Sequence, residues 1–377
     1  MAQSPYSIGV EEEFFVFDAR TRLAVRELDK TFLAKAQGEI GDRVVTEMLQ
    51  SQIEVVTPVC DTVAQAREHL SHYRRVVSRA ARASRIGIAA MGTFPLAFWP
   101  EQKVTDKARY DAIMDDLQMI GLRNMLCGMH VHVGVPDPST RINLMMRLTP
   151  YVPLMLALST SSPFWQGHAT GLSGYRLAAY DELPRTGLPE LFRTNDDYDE
   201  YVQALVSAGI IPDSSYIWWA LRPSARYPTI ELRVADSCTR FDDALAIVAL
   251  FRCLVRALDR DPARNAGFDR VARAITAENK WHAQRRGMAA TFVEPLRRSA
   301  ISAREWLAEL TDMLADDAKA LGCESEMAHL ETIARDGTSA DRQVEVYQSA
   351  LEGGATRLIA LRKVVDWVAR ETRASAG

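Results

Sequence analysis

The sequence lacks the motifs on which many nucleotide-binding and hydrolytic folds are built. It contains no GxxxxGK[ST] phosphate loop and no GxGxxG turn after a strand. It also lacks the GxSxG elbow of α/β-hydrolases and the HExxH helix of zinc proteases. A nucleotide bound by this chain would therefore have to lie on a scaffold without a phosphate loop.

An excess of charge of one sign is also missing. The 377 residues include 45 basic and 49 acidic side chains, which leaves a formal net charge of −4. This balance does not indicate a nucleic acid or an anionic membrane as a partner. It is compatible with small-molecule substrates, including anionic ones, because a site can concentrate arginines locally.

Long apolar runs and cysteine pairs are absent too. No uninterrupted apolar run is long enough to cross a bilayer, and the first residues have neither the basic nor the apolar region of a secretory signal. The five cysteines are an odd number without a CxxC pair, which argues against a disulfide framework and a zinc knuckle. We expect reduced thiols and a cytoplasmic location.

The hydrophobic pattern changes along the chain. Alternating or short apolar runs predict strands at residues 7–17, 52–57, 86–91, 129–135, 216–220 and 229–235. Helical patterns occupy residues 61–84, 107–120, 141–158, 242–258, 269–286, 296–321 and 356–372, with a break expected at Pro150. We therefore expect one domain over residues 1–377, whose part after about residue 241 is mostly helical. Long loops, which often carry function, are predicted at residues 92–105 and 161–189.

Four of the predicted strands divide their side chains in the same way. Because alternate residues of a strand face opposite sides, each of these strands has one apolar face and one polar face. If the strands are neighbours in a sheet, the polar faces would line one surface with Glu11, Glu13, Glu54, His130, His132, Glu231 and Arg233.

Such a surface needs cations. Glutamate is disfavoured inside strands, and burying a carboxylate costs several kcal/mol unless it is paired or bound to metal. Carboxylate oxygens with an imidazole suit Mg²⁺ or Mn²⁺ better than a metal that prefers thiolates. Each element also has a plainer interpretation: the EEE run could be a solvated turn, the His-x-His strand a half-exposed face, and Glu231 a partner of Arg233.

Seven segments together resemble the glutamate–cysteine ligase family of type 2, the bacterial carboxylate–amine ligases. They are GVEEEF at 9–14, EMLQSQIE with TP at 47–58, CGMHVHVG at 127–134, SPFWQG at 162–167, RPSAR at 222–226, TIELRVAD at 229–236 and ENKW at 278–281. They follow the family's order and cover nearly the whole chain. The resemblance implies an α+β fold similar to that of glutamine synthetase, with a curved, mainly antiparallel sheet and helices on its outer face.

The resemblance also implies roles for individual residues. It assigns metal binding to Glu11, Glu13, Glu54, His130 and Glu231, and support of phosphoryl transfer to Arg233. Glu54 or Glu47 is expected to deprotonate the incoming amine. Nucleotide-binding candidates are Arg222, Arg226, Asn279, Lys280 and Arg285. Arg176 and Arg185, in the second long loop, are further candidates for holding a substrate carboxylate.

The activity implied is ATP-dependent joining of a carboxylate to an amine through an acyl-phosphate, with ATP and Mg²⁺, or Mn²⁺, as cofactors. A γ-glutamyl amide of the glutamate–cysteine type is the expected product, and a homodimer is an expectation of the same kind. Two alternatives stay open on the residues alone. One is a metal-dependent hydrolase of amides or phosphates, which would not need ATP. The other is a non-catalytic regulator that binds a nucleotide or an amino acid.

Overall fold

The structure is a computed structural model, and it describes residues 4–374. Within that range the strands are β1 (Ile8–Asp18), β2 (Val44–Thr46), β3 (Gln52–Val56), β4 (Ile86–Ala89), β5 (Met129–Gly134), β6 (Phe164–Trp165), β7 (His168–Ala169), β8 (Leu221–Pro223), β9 (Thr229–Leu232), β10 (Thr291–Glu294) and β11 (Ser299–Ser302).

The helices alternate with these strands at first and then dominate. They are α1 (Lys30–Ile40), α2 (Val63–Ala83), α3 (Ala108–Leu117), α4 (Met119–Leu122), α5 (Arg141–Leu148), α6 (Val152–Ser159), α7 (Tyr175–Tyr180), α8 (Asn195–Ser207), α9 (Phe241–Arg260), α10 (Arg270–Arg286), α11 (Ala303–Met313), α12 (Ala315–Leu321), α13 (Glu324–Asp336), α14 (Ser339–Glu352) and α15 (Arg357–Ala374). No helix of residues 4–374 combines the length and the apolar character needed to cross a membrane.

The main sheet is antiparallel at every pairing. Its order is β2-β3-β1-β5-β9-β8, and β4 pairs with the second half of β1. β1 is the organising strand, because its 11 residues pair with β3 on one side and with β5 and then β4 on the other. The α+β class with an antiparallel sheet, expected from the sequence, is confirmed.

One face of this sheet forms the main core. Val10, Val131 and Leu232 are fully or almost fully buried in one hydrophobic cluster with residues of α2 and α9. In α9, 15 of the 20 residues are buried, as expected for a helix in the middle of a core. α2 and α9 thus cover the apolar face of the sheet, and the polar face lies on the opposite side, away from this core.

The polar face is covered only at one end. Phe15 and Phe17 share that face with the glutamates of β1, but they lie in a second cluster with Phe94 and with apolar residues of α15. A third cluster, built by Met48 with residues of α3, stands beside the glutamates. Between these two clusters the sheet surface stays open.

The sequence-based elements were wrong for one strand and for the start of one helix, and the loop predicted at 161–189 contains β6, β7 and α7. The strand predicted at 216–220 is absent, because Trp218 and Ala220 donate their backbone N–H groups to the loop carbonyls of Arg185 and Gly187 rather than to a sheet. The helix predicted from 296 begins at Ala303, where Ser302 and Glu305 form a capping box, and a hairpin of β10 and β11 precedes it. The predicted break at Pro150 is confirmed between α5 and α6.

Candidate active site

Strand register brings the polar side chains together. Glu11 lies opposite His130 on β5, and Glu13 lies opposite Glu54 on β3. His132 in turn lies opposite Glu231 on β9. Directly opposed residues of antiparallel strands have Cβ atoms about 5 Å apart, so three cross-strand pairs form one continuous polar surface.

This surface is the floor of a cavity of about 510 Å³. The walls come from α3, from α7 and from the segment around β8 and β9. The charged residues that line it are Glu11, Glu13, Glu47, Glu54, Arg109, His130, His132, Arg176, Arg222, Arg226, Glu231 and Arg233. Glu11, Glu13, Glu47 and Glu54 thus form an acidic side, whereas Glu231 lies among arginines.

The acidic side offers three overlapping sets of metal ligands. In each set the ligand atoms lie within 4.8 Å of one another. The sets are Glu11 with Glu54 and His130, Glu11 with His132 and Glu231, and Glu13 with Glu47 and Glu54. Because Glu11 and Glu54 each belong to two sets, the geometry suits more than one cation in a shared cluster.

Glu11 is held between two imidazoles. Its Oε2 lies 2.9 Å from Nδ1 of His130, and its Oε1 lies 3.5 Å from Nε2 of His132. Burial opposes the ionised form of Glu11, but the hydrogen bonds with His130 and His132 outweigh it and hold the pKa of this carboxyl well below its ordinary value. Glu11 is therefore ionised at neutral pH.

In three of the other carboxyls, those of Glu13, Glu47 and Glu54, the pKa is raised instead of lowered. Burial, followed by the charge of Glu47, raises the pKa of Glu13 to about 8. Burial and the charges of neighbouring glutamates raise the pKa of Glu54 well above its ordinary value, and burial raises that of Glu47. Among the ion pairs of residues 4–374, none joins these three carboxyls to a lysine or an arginine. Loss of a proton from any of the three is therefore opposed until a cation binds.

Glu231 is different because two arginines neutralise it. Arg222 donates two hydrogen bonds to its carboxylate, at 2.8 and 3.2 Å, and Arg233 donates a further one. Despite burial, these charges lower the pKa of Glu231 far below its ordinary value. Glu231 can hold a cation together with Glu11 and His132 only while it also anchors Arg233.

A divalent cation fits this donor set. Burial, with the charge of Arg233, lowers the pKa of His130 to about 4, so the imidazole is neutral as a ligand must be. Its Nδ1 contacts Glu11, while its buried Nε2 has no hydrogen-bond partner among the described residues and lies 3.8 Å from Oε1 of Glu13. A buried imidazole nitrogen without a partner, next to carboxylates without cations, is suited to Mg²⁺ or Mn²⁺.

The arginines predicted at the site divide into two groups. Arg222, Arg226, Arg233 and Arg176 line the cavity. Arg222 donates hydrogen bonds to Glu231 and to the carbonyls of Ser215 and Ile217, whereas Arg226 is exposed at the rim of the cavity. Arg185 lies outside the lining, where it donates to the carbonyl of Tyr216 and stacks on Trp218.

The three candidates on α10 also lie outside the lining of this cavity. The Asn279 side chain forms two hydrogen bonds with the backbone of Val293 and so joins α10 to β10. Lys280 forms an ion pair with Asp181, and Arg285 donates to the carbonyl of Gly171. These contacts are structural, and the geometry gives none of the three a place beside the glutamates.

Two lining residues were missed by the sequence interpretation. Arg109 and Tyr110 stand on α3, which folds over the acidic side of the floor. Burial, followed by the charges of Glu47 and Glu54, raises the pKa of the Tyr110 phenol. Strand alternation could not reveal them, because they are brought in by a helix from a different segment.

Known proteins resemble this chain over its whole length. Residues 7–360 match the family described as glutamate-cysteine ligase family 2 (GCS2). A Bradyrhizobium diazoefficiens protein named "Putative glutamate--cysteine ligase 2" is 47% identical over 367 residues, which cover 97% of this chain and 84% of that protein. A Rhodospirillum rubrum protein of the same name is 42% identical over 381 residues, which cover 100% of this chain and 98% of that protein.

Solved structures share the fold at low sequence identity. A glutamate–cysteine ligase from Francisella tularensis, crystallised with AMP, has a TM-score of 0.72 and 11% identity, and the match covers 99% of this chain and 90% of that one. A bifunctional glutathione synthetase from Pasteurella multocida has a TM-score of 0.71 and 15% identity, and the match covers 97% of this chain and 52% of that one.

Proposed function

Since the chain belongs to glutamate–cysteine ligase family 2, we propose that it joins the side-chain carboxylate of glutamate, or of a close relative, to the amine of cysteine or a similar amino acid, at the expense of ATP. Family and fold make it a carboxylate–amine ligase. The nucleotide, the metal and the identity of both substrates are the parts that we propose.

One observation carries the proposal. Three overlapping sets of carboxylate and imidazole ligands converge in a single cavity, and an arginine stands beside them. Transfer of a phosphoryl group to a carboxylate brings two anions together, so catalysis is mainly neutralisation of charge and positioning. An acidic cluster that holds cations on one side and arginine on the other provides both.

The proposed reaction has two steps. An oxygen of the substrate carboxylate attacks the γ-phosphorus of ATP, which gives an acyl-phosphate and ADP. The amine then attacks the acyl carbon and expels phosphate. Bound Mg²⁺ or Mn²⁺, held by Glu11, Glu13, Glu54 and His130, would neutralise phosphate oxygens. Arg233 donates to the transferred phosphoryl group, while Glu231 holds its guanidinium in place.

The second step also requires loss of a proton from the ammonium form of the amine. Glu47 and Glu54 lie together at the acidic end of the cavity, and both have a raised pKa. A carboxylate of raised pKa is the stronger base once it is ionised. We assign one of these two groups as the proton acceptor.

The test of the proposal compares two Glu→Gln variants. Glu54→Gln should reduce ADP release on the order of 100-fold or more while the protein stays folded, because it removes a metal ligand and a base. The matched control is Glu309→Gln, whose carboxylate pairs with Arg297 on the surface outside the cavity, and its rate should stay at the wild-type value. Wild-type ADP release by Glu54→Gln would contradict the proposal.

The same assay separates the alternatives. Product formation from an amide or a phosphate ester without ATP would favour a hydrolase. Tight nucleotide binding without turnover on any pair of amino acids would favour a regulator. The AMP found in the Francisella structure is the reason to begin with adenine nucleotides. The five free, buried thiols are compatible with the cytoplasm, where we propose that the enzyme works.

A further inference from the structure

Helix α7 reaches Arg233 from the wall of the cavity. It lies within the long loop that follows α6, and two of its residues, Arg176 and Tyr180, are one helical turn apart. Both line the cavity, and Arg176 is buried, with 3% of its surface exposed. The guanidinium of Arg176 lies 5.6 Å from the centre of the Tyr180 ring, so the two side chains form a stacked pair.

Arg176 holds the backbone on which Arg233 stands. The ladder of β9 ends at Leu232, and of the next three carbonyls only that of Ala235 accepts a backbone hydrogen bond from β5, from the N–H of Met129. Nη1 of Arg176 lies 3.3, 3.5 and 3.2 Å from the carbonyl oxygens of Arg233, Val234 and Ala235. One guanidinium thus bridges three consecutive carbonyls just beyond the end of β9 and helps to fix the path of the chain that follows Arg233.

Gly128 makes room for this arrangement. A Cβ at this position would lie 2.2 Å from Nη2 of Arg176 and 3.2 Å from the carbonyl oxygen of Ala235. Because Arg176 is enclosed, it could not move aside at low cost. Glycine at position 128 is therefore explained by the close approach of an arginine from a different part of the chain, rather than by its own backbone angles.

Tyr180 contacts Arg233 directly. Its hydroxyl accepts a hydrogen bond of 3.3 Å from Nη2, while Glu231 accepts from Nη1. The guanidinium is therefore held at both of its terminal nitrogens. Its Nε is buried and has no hydrogen-bond partner among the described residues.

We propose that Arg176 and Tyr180 are positioning residues that orient Arg233 for phosphoryl transfer. Arg176 fixes the backbone, and Tyr180 fixes the rotation of the guanidinium. This inference rests on the proposed function, since it concerns the orientation of the Arg233 guanidinium, the group proposed to contact the phosphoryl oxygens. It also assigns a role to the loop around α7, which carries no metal ligand.

The test uses Tyr180→Phe, which removes only the hydroxyl. Without it the guanidinium of Arg233 can rotate, so kcat for ADP release should fall about tenfold, as expected for the loss of one hydrogen bond to a charged group, with KM for ATP and both amino acids within twofold. Tyr175→Phe is the matched control, because it lies on the same helix and its ring packs against Trp165 away from Arg233. Its kinetics should equal those of the wild type.

A second readout does not depend on activity. The Nε–H signal of Arg233 in ¹⁵N-labelled protein can be assigned from its absence in Arg233→Lys. Burial should make its exchange with water slow in the wild type and in Tyr175→Phe. It should become faster in Tyr180→Phe, with the thermal midpoint unchanged. Unchanged exchange and unchanged kcat in Tyr180→Phe would overturn the inference.

The two proposals fail in different ways. If the wild type releases ADP and Arg233→Lys does not, while Tyr180→Phe behaves as the wild type in both readouts, the ligase stands and the positioning role is refuted. If the wild type releases no ADP with any amino-acid pair, the proposed function falls. The exchange measurement would then still decide whether Tyr180 holds Arg233.

Discussion

Individual carboxyl groups in this cavity differ in charge although they have the same chemistry. Glu11 is kept ionised by two histidines, and Glu231 by two arginines. Glu13 and Glu54 face each other across β1 and β3 without a cation, and the pKa of each is raised. The pKa shifts differ because each carboxyl meets different side chains on the neighbouring strands. The groups of raised pKa are the ones that must lose a proton when a metal binds.

Metal binding should therefore release protons. A group whose pKa in the folded state is raised binds a proton that the unfolded chain has lost, so Glu13 lowers stability as pH rises from its ordinary 4.5 to about 8. A cation that displaces this proton binds more tightly as pH rises through the same window. We expect titration calorimetry with Mn²⁺ at pH 7, in buffers of different ionisation enthalpy, to show proton release.

The control for this prediction is Glu13→Gln, which should bind Mn²⁺ more weakly and release fewer protons. Glu11 and Glu231 work in the opposite direction, because their pKa values are lowered. Their contribution to stability is complete above pH 4.5 and is lost below it. Proton release that is the same in Glu13→Gln and in the wild type would show that Glu13 does not meet the metal.

At the scale of elements, the polar surface was predictable because it follows from strand alternation. The period of two places Glu54, His130 and Glu231 on one face wherever their strands pair, and the register confirms this. Glu47 and Tyr110 could not be found in this way. They reach the cavity from a loop and from α3, whose positions depend on packing against Met48 rather than on a local pattern.

The reverse face of β1 shows what alternation alone does not reveal. Glu12 faces the apolar core, where a lone carboxylate would be costly. The core supplies Arg74 from α2, and its fully buried guanidinium forms two hydrogen bonds with Glu12, at 2.6 and 3.0 Å. Arg74 also donates to the carbonyls of Cys238 and Thr239. Among the many arginines of α2, nothing in the sequence marked this one.

This buried pair should be essential for stability. Arg74→Leu leaves the carboxylate of Glu12 without a partner, and we expect a loss of about 3–5 kcal/mol in the free energy of unfolding, measured by denaturant titration. Arg79→Ala is the control on the same helix, because Arg79 forms an exposed pair with Glu39 worth about 0–1 kcal/mol. Equal losses in the two variants would contradict the assignment.

At the scale of the whole molecule, one sheet serves two purposes. Its apolar face packs on α2 and α9 and forms the core, while its polar face forms the cavity floor. The class of fold and the family could be predicted, because seven short segments in order carry them. The hairpin of β10 and β11 could not, since its strands have only four residues each and β11 lies inside the segment predicted to be a helix.

The whole molecule also limits what the motifs can mean. The ENKW segment carries part of the family resemblance, yet Asn279 and Lys280 use their side chains to join α10 to β10 and to Asp181. A motif of this kind is explained by packing as well as by ligand binding. The nucleotide-binding role predicted for it remains a prediction that the cavity does not support.

The most direct measurement incubates the purified protein with glutamate, cysteine, ATP and Mg²⁺ and determines the mass of the product together with the ADP released. The account predicts a product equal in mass to the two amino acids less one water, with one ADP for each amide formed. Chelator should stop the reaction, and excess Mg²⁺ should restore it. Amide formation that continues in chelator, or that needs no ATP, would contradict the account.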